Sequence, residues 1–200
     1  MSTAAAPAHA HAHPPTATGL NTWKVGFWVF MGSETLFFGT LISTYMVYKH
    51  SSVQGPFPDE VLNIPLTTIS TFVLLMSSLA MVLALDGVAR GRRGLTIGWL
   101  AAVIVLGLIF LGFQAYEFTH FVHEGLTIQR NVFGSSFFVL TGFHGAHVAV
   151  GVLWMTTLLV LAVAGKLPPT RALAVEIAGL YWHFVDIVWI AIFTLIYLIQ

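Results

Sequence analysis

The chain contains no cysteine. That absence excludes disulfides, thiolate catalysis, iron–sulfur clusters and any thiolate-ligated copper or zinc. Charge is nearly as scarce: Asp, Glu, Lys and Arg make up 8% of the 200 residues while 57% are hydrophobic. A soluble globule carries roughly 25% charged residues to wet its surface, so lipid must be the solvent for most of this chain. The formal net charge is zero, which leaves no basic surface for nucleic acid and no acidic one for a cationic partner. The first 22 residues have neither a basic start nor an apolar core and do not read as a signal peptide. They read as a disordered Ala/His/Pro-rich tail. His9, His11 and His13 alternate within it and could chelate a metal ion, but nothing fixes them, and a solvated tail is the reading adopted.

What the sequence does have is long apolar runs. Crossing about 30 Å of hydrocarbon takes roughly 20 helical residues. Runs of that length occur at 25–48, 66–85, 95–117, 132–163 and 173–199. The expected fold is therefore an all-α bundle of five transmembrane helices occupying residues 23–200. Turn residues separate the runs: Gly55, Pro56 and Pro58, then Gly87, Gly91 and Gly94, then Gly125, then Pro168 and Pro169. With the N-terminus in the cytoplasm, the inner segments hold Lys24, Arg90, Arg92, Arg93, Lys166 and Arg171, while the outer ones hold Lys49 and Arg130. That split predicts a cytoplasmic N-terminus and an external C-terminus. The fourth run is rich in small residues, among them Gly134, Gly142, Gly145 and Gly151. It is expected to lie in a tight helix–helix seam.

A polar side chain in hydrocarbon costs several kcal/mol unless it is paired, neutralised or facing a cavity. Glu34 stands at mid-depth in the first run. Burial favours its neutral acid, which would donate a hydrogen bond or share a proton with a histidine; a packing hydrogen bond is the plainer alternative. His144 and His147 lie three apart on the fourth run, as do His183 and Asp186 on the fifth, with Glu176 two turns before His183. Metal or haem ligation and proton relay compete here with imidazoles simply satisfied by neighbouring helices. A two-histidine haem plus a three-histidine copper needs more imidazoles than His144, His147 and His183 supply, so no metal site is expected. No nucleophile with an oxyanion hole accompanies His183 and Asp186, which read as buried interhelical glue. Glu117, His120, His123 and Glu124 fall near a membrane interface, where water is expected to satisfy them.

Four segments carry a family resemblance: GFWVFMGSETLFFGTL (26–41), QAYEF (114–118), GSSFFVLTGFHGAHVAVG (134–151) and YWHFVDIVW (181–189). In order and spacing they resemble subunit III of the haem–copper cytochrome c oxidases. The resemblance implies a core subunit of the respiratory complex that passes electrons from cytochrome c to dioxygen and pumps protons. It implies oxidase subunits I and II as partners, with cytochrome c reached indirectly through subunit II, in a bacterial inner membrane. Haem and copper are expected in the partner subunits and none in this chain, no residue of which is catalytic. Glu34 falls on the family's carbodiimide-reactive intramembrane glutamate; His144, His147, Glu176, His183 and Asp186 would form an interior polar network or lipid contact.

The mitochondrial form has seven helices, and five is the pattern of bacterial members. Bound phospholipid is expected, although one wall of the family's lipid cleft belongs to the two helices not represented here. Glu34 and Tyr181 favour the cytochrome c branch, because the quinol-oxidising branch tends to carry Asp and Phe there. Subunit III of a quinol oxidase is the alternative within the superfamily. A small proton-coupled transporter is the alternative outside it, set against the lack of an inverted repeat or a broken helix.

Overall fold

A computed structural model of the chain describes residues 21–49, 63–129 and 131–199. The tail histidines, the Gly55–Pro58 turn and Arg130 lie outside the described residues. The helices are α1 (Thr22–Tyr48), α2 (Ile64–Ala89), α3 (Arg93–His123), α4 (Val132–Val163) and α5 (Ala172–Phe193). All five are long and apolar enough to cross a membrane, and no strand occurs among the described residues. A 3₁₀ turn at Pro169–Arg171 leads into α5, and a π turn at Thr194–Leu198 ends it.

The ends of these helices follow from side-chain chemistry that hydropathy does not register. Asn21, Asn63 and Asn131 each turn a side-chain oxygen onto a free first-turn N–H, which starts α1, α2 and α4. Thus α1 begins at Thr22, inside what reads as tail. Helix α3 begins and ends outside its apolar run of 95–117, continuing to His123 until Gly125 adopts φ 84°. There Gly125 N–H bonds Val122 O and Leu126 N–H bonds Phe121 O, the paired 5→2 and 6→1 closure of a helix C-terminus. The same closure ends α2 and α4.

Helices α2, α3, α4 and α5 pack in cyclic order, with α1 outside them against α4 and α5. Only 11% of the apolar window of α1 is buried inside the chain, against 50% for α5, so α1 offers most of its surface to lipid or to another subunit. Small residues make the central seam possible. Gly107 of α3 and Gly151 of α4 both face the indole of Trp182, and a Cβ at either would come within 3 Å of it. Gly145 lies against the Gln114 side chain in the same way, whereas Gly142 faces open space.

Lipid tails provide no hydrophobic drive between helices, so interhelical hydrogen bonds matter more. The α2–α5 seam is a ladder of them. Trp182 Nε1 donates to Ser77 Oγ at 2.8 Å, Ser78 Oγ meets His183 Nδ1 at 2.5 Å, and Trp189 Nε1 donates to Thr71 Oγ1 at 2.9 Å. Helix α1 is tied down at three depths: Lys24 Nζ to Glu176 Oε1 at 2.6 Å, Glu34 to His147 at 3.2 Å, and Lys49 Nζ to Ile199 O at 2.8 Å.

Candidate functional site

The three-residue spacing of His144 and His147 puts both on α4, yet they face different neighbours. His144 is fully buried and points into the bundle. Its Nε2 lies 3.2 Å from Val185 O, and its ring is 4.8 Å from that of Trp189 and 5.8 Å from that of Phe110. Its Nδ1 has no hydrogen-bond partner among the described residues.

His147 points outward to α1, where Glu34 Oε2 stands 3.2 Å from its Nε2. The ring of Phe38 covers the imidazole edge-on at 4.9 Å, and Tyr181 Oη donates to His147 O at 3.0 Å from α5. His147 Nδ1 is 2.7 Å from Phe143 O. A carbonyl only accepts, so Nδ1 must carry hydrogen, which in a neutral imidazole leaves Nε2 bare. One proton therefore belongs between the two side chains: on Glu34 and donated to Nε2, or on Nε2 and donated to the carboxylate. The third arrangement would press two acceptors together inside the membrane, an unfavourable contact. The contact thus sets an acid and an imidazole within hydrogen-bond distance across the α1–α4 seam.

The remaining sequence candidates do not join this pair. His183 and Asp186 do not bond each other; His183 turns instead to Ser78 of α2, and both Asp186 carboxylate oxygens are buried without a hydrogen-bond partner. Glu176 leaves the α5 stripe to form the half-exposed ion pair with Lys24, because α1 and α5 begin at the same end of the bundle. What reads as a single polar stripe along α5 is divided among neighbours: Glu176 and His183 lie about two turns apart on nearly the same face, and at the one depth α1 offers Lys24 while at the other α2 offers Ser78. Among the described residues no three His, Asp or Glu side chains converge as ligands for a metal ion.

The polar residues thus sit on a five-span bundle with a Glu34–His147 contact at its α1–α4 seam. The family described as cytochrome c oxidase subunit III matches this chain over residues 6–200. The chain belongs to the cytochrome c oxidase subunit III family.

As a subunit III it is a multi-pass membrane component of a haem–copper oxidase, with a place in aerobic respiration and with other oxidase subunits as partners. Its relatives carry two names. The quinol oxidase subunit 3 of Bacillus subtilis is 41% identical over 174 residues, 87% of this chain and 85% of its own length. The cytochrome c oxidase subunit 3 of the same organism is 41% identical over 184 residues, 92% of this chain and 88% of its own length. The cytochrome c oxidase subunit 3 of Alkalihalophilus pseudofirmus is 40% identical over 189 residues, 93% of this chain and 91% of its own length.

Glu117 is where this subunit III departs from the reading of its sequence. In place of an interfacial acid satisfied by water, the structure has a side chain 5% exposed, with Thr67 Oγ1 donating to it at 2.5 Å. Helix α3 runs past Glu117 by a turn and a half, which draws the acid inward between α2 and the end of α5. One turn earlier Gln114 Nε2 donates to Thr141 O of α4 at 2.6 Å. Gln114 and Glu117 share a face of α3, and that three-residue spacing was the available signal; the polar His120, His123 and Glu124 that follow masked it. His120 and Glu124 do remain at the surface.

Thr67→Val keeps the shape and removes the donor, leaving a buried acid short of a partner. The expected cost is about 1–3 kcal/mol, read as a lower temperature at which the subunit leaves its purified complex. Thr67→Ser should restore it, and an unchanged temperature for the valine variant would mean that another group satisfies Glu117.

Proposed function

We propose that this chain is the subunit III, without a redox centre of its own, of a proton-pumping oxidase in a bacterial inner membrane. It packs beside subunits I and II, which hold the haem and copper, and it keeps proton uptake and the stability of the catalytic subunit in order. The observation that carries this reading is the 3.2 Å contact between Glu34 and His147, an acid and an imidazole placed to share one proton across the α1–α4 seam. No other pairing of an acid with an imidazole occurs inside the bundle among the described residues. The absence of cysteine from the sequence, which removes every thiolate ligand, supports placing the redox metals elsewhere. The excess of Lys and Arg at one end supports a cytoplasmic N-terminus. The exposed apolar surface of α1 is suited to phospholipid and to a neighbouring subunit.

Cytochrome c, reached through subunit II, is the proposed electron donor, on the strength of Glu34 and Tyr181. Relatives named for quinol oxidation at the same 41% identity favour a quinol as the second reading. Purification through a tag on this chain in mild detergent, with a reduced-minus-oxidised spectrum and identification of the co-purifying subunits, tests both. Haem a absorbance with two larger subunits and cytochrome c oxidation is the expected result. Quinol oxidation without cytochrome c oxidation would establish the second reading, and a colourless protein running alone would overturn both.

A further inference from the structure

Asp186 is the acid whose burial the packing leaves unexplained. Glu117 has Thr67 and Glu34 has His147, but Asp186 is 3% exposed on the face of α5 that meets α2, with neither carboxylate oxygen hydrogen-bonded. A bare carboxylate without a counter-charge at this depth is among the costliest groups a membrane protein can hold, and a bound proton removes the charge. A route for that proton lies on the same seam. The Ser78 hydroxyl stands beside the Asp186 carboxyl without meeting hydrogen-bond geometry. The same hydroxyl is 2.5 Å from His183 Nδ1. His183, one turn before Asp186, is only partly buried. Its ring lines a cleft of about 300 Å³ between α1 and α5, with Phe27, Met31, Thr35 and Ile187 around it. The three side chains thus run from the core of the bundle to its lateral face.

We propose that Asp186, Ser78 and His183 form a proton-binding relay joining a buried carboxylic acid to the cleft between α1 and α5. In the resting state Asp186 carries its proton, Ser78 donates to His183 Nδ1, and Nε2–H faces the cleft. In the transfer step the Asp186 O–H bond breaks as its proton passes to Ser78 Oγ. The Ser78 hydroxyl proton passes at the same time to Nδ1, leaving a carboxylate and an imidazolium with no change in net charge. Loss of the Nε2 proton to water or to a carboxylate of a neighbouring subunit in the cleft completes the release, and reversal reloads the acid. A slight shift of the Ser78 side chain closes the gap to Asp186, as proton-transfer contacts commonly tighten only when they act. This relay stands apart from the Glu34–His147 pair, which lies on the other flank of α1 and shares no residue with it.

The test is infrared spectroscopy of the intact purified oxidase complex, following the carbonyl band of a protonated carboxylic acid during transfer into heavy water. The expected result is a band present in the native complex and in Glu34→Gln, and absent from Asp186→Asn. Ser78→Ala should keep the band but slow its deuteration by about a hundredfold, the low end of what a positioned proton carrier contributes. Ser78→Thr, which keeps the hydroxyl, should exchange at the native rate. If Asp186→Asn fails to assemble, the two Ser78 variants decide the matter. Equal exchange rates for the alanine and native proteins overturn the relay. A band that survives Asp186→Asn and disappears in Glu34→Gln also overturns it, while leaving the Glu34–His147 reading in place.

Discussion

Replacing Trp182 with alanine lowers the stability of the bundle by about 3 kcal/mol, the low end of the range for a buried aromatic, and releases the subunit from its complex at reduced temperature. Trp182 is the largest fully buried side chain and the point where four helices meet. It projects from α5, rests on Gly107 of α3 and Gly151 of α4, and donates its indole N–H to Ser77 of α2. Truncation opens a cavity between two glycines that have no side chains with which to fill it. The low end applies because lipid removes the transfer part of the cost: alanine and tryptophan are both surrounded by hydrocarbon before and after packing. What remains is lost dispersion, the cavity, and a buried Ser77 hydroxyl without its donor. About 3 kcal/mol changes the folded-to-unfolded ratio by roughly two powers of ten. Thermal dissociation of the purified complex measures it, and Trp182→Phe should recover part of the loss, since it refills volume without restoring the hydrogen bond. An alanine variant as stable as the native subunit would show that the seam is not centred on this side chain.

Glu34→Gln abolishes labelling of this chain by a lipid-soluble carbodiimide while the oxidase still assembles. The reagent takes a proton on nitrogen and is attacked at carbon by the carboxylate, so it needs an acid that brings its own proton into hydrocarbon. A Glu34 acid hydrogen-bonded to His147, as proposed, would meet that need, and the side chains of this pair are 19% and 20% exposed, open enough for a reagent dissolved in lipid. Asp186 and Glu117 are acids too, but at 3% and 5% exposure they lie beyond its reach. A glutamine at position 34 keeps the size and a hydrogen bond to His147 and removes the reactive group. Mass spectrometry of the labelled subunit locates the adduct; one persisting in the glutamine variant places the reactive acid elsewhere. Loss of the subunit from the complex in that variant would mean that the Glu34–His147 contact is structural.

The spans, their number and the family were legible in the order of residues, because hydrocarbon imposes a length and a composition on every segment that crosses it. The same holds for Glu34 as a residue out of place: an acid amid Phe, Leu and Gly at mid-depth is conspicuous without coordinates. The helix ends were legible only in part, since Asn21 as a cap and Gly125 as a terminator act through single hydrogen bonds that hydropathy averages away. What each polar residue meets was decided by the tertiary structure alone. Sequence spacing places His183 near Asp186 and in line with Glu176, but which neighbour faces each depends on the order in which the helices surround α5, and no local interaction encodes that order. Only the assembled bundle turns His147 to Glu34 and His183 to Ser78, and encloses Glu117 with Thr67 where the sequence alone would leave it to water.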